Sequence, residues 1–297
     1  MQRAASAVLT VLVIGVVATG AYYAGQHRKP AAAPETVAAA APAPSPEAPA
    51  PATPATPAIA YPMEAVEAAG PAVPALVASD TYVSNALAEW LGRKNVQTFL
   101  HLDGFARRVV ATTDNLAREH AAPALWPVAP MPGRFATLLA DGRPAEAGSP
   151  AATSINPDNG QRYTPFVLFI ESIDTPQAVR LYARLYPLFQ QAYEELGFPG
   201  RYFNDRLVAV IDHLLATPVQ AAPLAVSLVE VKGPVPSVQP WVRYEFTDPA
   251  LKALSAGQKM LLRTGPANHQ RLKAKLMEVR RLVSGSPLAP AAGIRRP

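Results

Sequence analysis

Cysteine is absent from this 297-residue chain. That excludes disulfides, thiol nucleophiles and cysteine-held metals, and leaves the compartment open, since exported proteins without cysteine are common. Histidine is scarce: five residues, none spaced four apart. The paired imidazoles of a helical zinc site are therefore missing, and neither metal nor cofactor is expected. No Gly-rich phosphate loop, dinucleotide fingerprint, H-E-x-x-H or G-x-S-x-G occurs, and no serine precedes a lysine by three. The nucleotide-dependent and standard hydrolytic chemistries carried by those motifs are not signalled.

Charge is missing from 4–26. At about 1.5 Å per residue the stretch 4–24 spans ~32 Å, against a hydrocarbon core of ~30 Å. Tyr22 and Tyr23 fall where an interfacial aromatic belt lies. The stretch reads as one transmembrane helix within an anchor of residues 1–29. The alternative is a cleaved signal peptide, with 18–20 as the cleavage site. Flanking charge decides little about orientation, because the amino terminus and Arg3 oppose Arg28 and Lys29.

From 30 to 60 the chain is almost entirely Ala, Pro, Thr and Ser, with two Glu. Such a composition buries no core. In polyproline form, at about 3.1 Å per residue, it reaches at most ~95 Å. The linker is expected to run through 77, the globular domain to occupy 78–283, and 284–297 to be disordered. A stand-off of this length suits a periplasmic domain reaching toward the cell wall.

Periodicity makes the domain mainly α, a multi-helix body with one small antiparallel β pair. Its organising element is a helical hairpin over 175–217. Val179, Tyr182, Tyr186, Phe189, Tyr193 and Leu196 recur at gaps of three and four, flanked by Leu181, Leu185, Leu188 and Ala192. That face is wider than a surface helix needs and predicts burial. Thr175 is the expected cap, Pro176 fits the first turn, Pro187 should kink the helix, and Gly197 ends it. Asn204 is the expected cap of the second helix. Asp80, Asp103, Asn156–Pro157, Asp248–Pro249 and the Ser255/Gln258 capping box mark further helix starts. An edge strand is expected within 134–140, a loop over 141–153, and strands over 224–231 and 241–246. The last helix, 266–283, has the seam Leu272, Leu276, Val279 and Val283.

Several segments carry a resemblance. ARLYPLFQQAYEELGFPGRYFNDRLVAVIDHLLATP, PWVRYEFTDPALKALSAGQKMLLRTGP, RLKAKLMEVRRL, SDTYVSNALAEWLG and FARRVVATTDNLAR resemble the bacterial domain of unknown function 3014 family, over about 61–283. The resemblance implies an N-terminal membrane anchor, a Pro/Ala linker and one mainly helical domain. It brings no activity and no catalytic residues. The chain departs from it over 141–153, a Gly/Pro/Ala stretch in place of a more strand-like segment.

Polar candidates remain. Glu194, Glu195, Asp205 and His213 are the acid/base candidates for a periplasmic cell-wall hydrolase, a class that works with paired carboxylates. Any helical protein offers such pairs. Ten Lys/Arg against Glu278 alone follow residue 251, whereas 61–250 is mildly acidic, with fourteen basic and nineteen acidic residues. Lys273, Lys275, Arg280 and Arg281 are therefore candidates for binding an anionic partner. Three functions stay open: an envelope binding or scaffolding module, the hydrolase, and a cytoplasm-facing nucleic-acid binder using the last helix. The expected partners are the membrane, through 4–24, and an envelope protein, peptidoglycan or anionic lipid, with nucleic acid disfavoured. The expected location is the bacterial inner membrane.

Overall fold

Side-chain caps and first-turn prolines set some of the helix starts among the described residues. The computed structural model describes residues 58–63, 72–146, 149, 153–220, 223–229 and 239–285. Among them run nine α-helices: α1 Asp80–Leu91, α2 Arg93–Phe99, α3 Phe105–Leu116, α4 Asn159–Ser172, α5 Thr175–Glu195, α6 Phe203–Leu215, α7 Pro249–Lys252, α8 Ala256–Arg263 and α9 Pro266–Val283. Four short strands, β1 Thr137–Leu139, β2 Thr153–Ile155, β3 Ala225–Leu228 and β4 Tyr244–Phe246, form one antiparallel sheet in the order β1-β2-β3-β4. The predicted membrane span, the linker up to 57 and the tail beyond 285 lie outside the described residues. No helix of the described residues is long and apolar enough to cross a membrane.

The hairpin of α5 and α6 is the buried centre that its wide apolar face predicts, except for Leu196, which lies past the last turn of α5 and is 43% exposed. Tyr182, Leu185, Phe189, Val208 and Ile211 are each at most 1% exposed. Tyr182 stacks on Phe189 at 5.5 Å between ring centroids, and Phe203 of α6 closes on both rings. α5 runs unbroken through Pro187. Its cap is Asp174 rather than Thr175: the Asp174 carboxylate accepts from the Gln177 N–H at 2.7 Å, and Thr175 is already helical. The helix ends at Gly197, whose φ of +108° glycine adopts without a Cβ clash. There the Phe198 N–H donates to the Tyr193 carbonyl and the Gly197 N–H to that of Glu194, the paired bonds that satisfy a helix C-terminus. The Tyr193 and Phe198 rings stack across this turn at 4.6 Å.

Other ends follow local chemistry with small shifts. Ser255 and Gln258 make both bonds of the capping box at α8, and Asp248 caps α7. Asp103 does not cap α3; Gly104, at φ +58°, precedes that helix. Asn156 does not cap α4: its side chain accepts from the Asp158 N–H ahead of the helix, which begins at Asn159 rather than Pro157 and has no side-chain cap bond. The seam of α9 docks as expected, with Leu272, Leu276, Val279 and Val283 at most 1% exposed. α9 packs against α4, α5 and α6, while α3 packs against α5, α6 and α8.

The sheet is larger than the expected pair. β3 and β4 pair as anticipated, Val226 opposite Phe246, although residues 240–242 form a single 3-10 turn and β4 starts at Tyr244. β1 is the edge strand. Between β1 and β3 lies β2, at the end of the stretch read as loop, with Thr137 opposite Ile155 and Thr153 opposite Val226. Ile155, Val226, Tyr244 and Phe246 form a small second core completed by Leu262 of α8.

Candidate functional site

The four acid/base candidates share no common cleft. Glu194 and Glu195 sit exposed at the end of α5. Glu194 accepts from the Gln190 amide at 2.8 Å, and Glu195 pairs with Arg107 of α3 at 3.0 Å. Asp205, in the first turn of α6, accepts two main-chain N–H groups, from Ala60 at 3.1 Å and Tyr61 at 2.8 Å. His213, near the other end of α6, lines a cleft of about 520 Å³ with Glu119, Ser255 and Gln258. Its Nε2 is buried without a hydrogen-bond partner. A second cleft, of about 110 Å³, lies where α4 and α9 begin, beside Arg263. Glu194, Glu195 and Asp205 line neither cleft. Paired carboxylates on one bound sugar would need to face a common space. Among the described residues no group of three His, Asp or Glu is placed to hold a metal ion.

Three of the four basic candidates spend their donors on the body. Lys273 Nζ donates to the Thr217 carbonyl at 2.9 Å. Lys275 Nζ donates to the Ile173 carbonyl at 2.8 Å and to the Thr175 hydroxyl at 3.0 Å. The Arg280 guanidinium binds both oxygens of Asp212, at 2.9 and 3.1 Å. Arg281 is exposed. The apolar seam dictates this: docking Leu272, Leu276 and Val279 lays the flanking cations along α6 and the end of α4.

A polar constellation lies at the start of α6, around a residue expected to be a cap. Asn204 is wholly buried. Its amide donates to the carbonyls of Tyr61 and Val283, at 2.8 and 2.9 Å, and its oxygen accepts from the Tyr182 hydroxyl at 3.2 Å. The Asn204 N–H donates to the Tyr186 hydroxyl, which donates to Gln190. Burial pushes the Tyr182 hydroxyl well above its ordinary pKa and raises that of Tyr186 as well. Both therefore stay protonated and keep donating. Beside them Asp205 holds Ala60 and Tyr61, the Tyr202 hydroxyl accepts from the Met63 N–H at 2.7 Å, and Arg280 lies over the Tyr61 ring at 6.0 Å. Residues 60–63, placed in the linker by composition, are thus held on the domain.

A second cluster joins α3 to α6. Asp114, with a side chain 4% exposed, accepts from Arg118 and from Arg206, whose Nε lies at 2.9 Å. The Arg118 contact is a local i,i+4 pair, whereas the Arg206 contact joins residues 92 apart and leaves no mark in the local sequence.

The family described as "Protein of unknown function (DUF3014)" matches residues 105–280. The chain belongs to that family. No curated protein and no solved structure matches it. The DUF3014 match spans α3 through most of α9, and so contains Tyr202, Asn204, Asp205 and Arg280. The docked residues 60–63 lie outside it.

Proposed function

We propose that this chain is a single-pass protein of the bacterial inner membrane whose helical domain acts in the periplasm as a binding or scaffolding module. The observation that carries the proposal is the order of segments: a charge-free apolar stretch over 4–26, about thirty residues dominated by Ala and Pro, then the folded domain. An uncharged stretch of that length fits a bilayer, and an extended spacer gives a tethered domain reach.

The layout of the domain supports binding over catalysis. Glu195 and Asp205 are engaged by Arg107 and by main-chain N–H groups, and Lys273, Lys275 and Arg280 by the body. With those cations engaged, a protein partner is favoured over an anionic lipid. The test is a pair of reporter fusions after Ile59. Alkaline phosphatase should be active there and green fluorescent protein dark. The reverse pattern would put the domain in the cytoplasm and end the proposal.

A further inference from the structure

We propose that Tyr202, Asn204 and Asp205 form an exchangeable extended-peptide site, occupied in cis by residues 60–63 and able to take an equivalent Tyr-Pro segment of a partner protein in trans. The inference holds on whichever side of a membrane the domain lies.

The site reads main chain. Asp205 gives one oxygen to the Ala60 N–H and the other to the Tyr61 N–H. Asn204 donates to the Tyr61 carbonyl, and the Tyr202 hydroxyl accepts from the Met63 N–H. Acceptors thus stand at positions 60, 61 and 63. Position 62 is proline, which has no N–H to satisfy. The pattern of donors demanded is therefore that of an Xaa-Tyr-Pro-Xaa segment. Proline also holds the residue before it extended, so little order is lost on docking. Side-chain selection falls on Tyr61, half-buried with Arg280 over its ring.

Asn204 is held by groups other than the docked segment: Tyr182 and Val283 lock it, and it ties α5, α6 and the end of α9 together. The occupant is held much less firmly. Ala60 and Pro62 are exposed, Ile59 is 53% exposed, and only Tyr61 and Met63 are partly buried. Segments with so little burial open at a small fraction of the global unfolding free energy. Attachment to the same chain gives the occupant an effective concentration on the order of millimolar. A trans ligand of the same chemistry competes against that figure, so the native chain masks its own site.

The experiment uses the full-length chain in detergent and a fluorescent peptide of residues 58–63, Ala-Ile-Ala-Tyr-Pro-Met, read by anisotropy. Ala60→Pro with Tyr61→Pro in the protein removes the ring and both N–H donors to Asp205. This released protein should bind the peptide at least tenfold tighter than the native one. Adding Asp205→Ala should return binding to the native level with an unchanged far-ultraviolet spectrum; Asp205 is partly exposed and outside the core, so folding survives its loss. Equal affinity for native and released protein would overturn the proposal, as would binding that ignores Asp205→Ala. Unfolding of the released protein would make residues 60–63 a permanent part of the fold and would equally end it.

Discussion

The side-chain amide of Asn204 donates to the main-chain carbonyl of Val283, 2.9 Å away and 79 residues further along the chain. Val283 is the last residue of α9, and its carbonyl has no partner within the helix. Asn204 thereby closes the C-terminus of α9 from the first turn of α6. Asn204→Ala strands that carbonyl and removes the acceptor of the buried Tyr182 hydroxyl. Each stranded buried group costs about 1–3 kcal/mol. Urea unfolding should show a loss of roughly 2–5 kcal/mol with little change in slope. A loss below about 1 kcal/mol would mean that water replaces the amide and that Asn204 is no hub.

Gly257 stands in the first turn of α8 where backbone meets backbone. A Cβ there would lie 2.6 Å from a Leu214 methyl and 2.9 Å from the Leu116 carbonyl oxygen. In an open helix Gly→Ala gains about 1 kcal/mol. Here a leucine methyl can rotate aside, but the Leu116 carbonyl is main chain and cannot. Overpacking of this kind costs about 1–3 kcal/mol, so the net sign is destabilising. Gly257→Ala should lower the thermal midpoint, and a midpoint at or above the native one would show that α3 yields.

Much of this architecture is legible from sequence, and the exceptions share a cause. The bounds of α9, the α8 capping box and the buried seam of α5 follow from local spacing, because helix periodicity and caps are written within a few residues. β2 fails that test. Three residues, Thr153–Ile155, show no measurable alternation, and their strand state comes from β1 and β3 on either side. Asn204 misleads for a related reason. At a helix start an asparagine is ordinarily a cap, yet here the partners that decide its role are Tyr61, Tyr182 and Val283. Asp205 looks like a first-turn acid balancing the helix dipole, and nothing local reveals that it holds residues 60 and 61.

Lys275 and Arg281 are both cations of α9, and their environments predict different outcomes. Lys275 is mostly covered, with a side chain 11% exposed, and bonds to the Ile173 carbonyl just past α4 and to the Thr175 hydroxyl. Arg281 is exposed. Charge-assisted bonds of this kind contribute about 1.5–3 kcal/mol, whereas exposed substitutions stay within about 0.5 kcal/mol. Lys275→Ala should therefore destabilise measurably and Arg281→Ala should not, in parallel denaturant titrations. If both are neutral, the Lys275 ammonium is free to serve an anionic partner. In that case anionic vesicles should bind the native chain at low salt and not a Lys275→Gln variant.

His269 sets the expected response to acid. It lies on α9, 1% exposed, with Nε2 buried and without a hydrogen-bond partner. Burial, helped by the Lys273 ammonium, pushes its pKa down from 6.5 to about 4. The unfolded chain takes up a proton near pH 6.5, while the folded chain refuses it until about pH 4. Above pH 6.5 both states hold a neutral ring, and the group exerts no pH-dependent pull. As the pH falls from 6.5 toward 4 the unfolded state binds more protons and stability declines. Below about 4 both states are protonated, and this contribution levels off. At about 1.4 kcal/mol per pKa unit the total loss comes to roughly 3–4 kcal/mol. His101, also lowered by burial and by Arg108, adds to the same window. Thermal midpoints at pH 7.5 and 4.5 should therefore differ clearly in the native protein, and His269→Leu should shrink that difference without erasing it. The informative quantity is the difference between the two pH values, because the substitution also changes packing equally at both. A His269→Leu protein that keeps the full native drop would mean that the folded chain accepts the proton on His269 near its ordinary pKa, through an opening that lets water reach the ring.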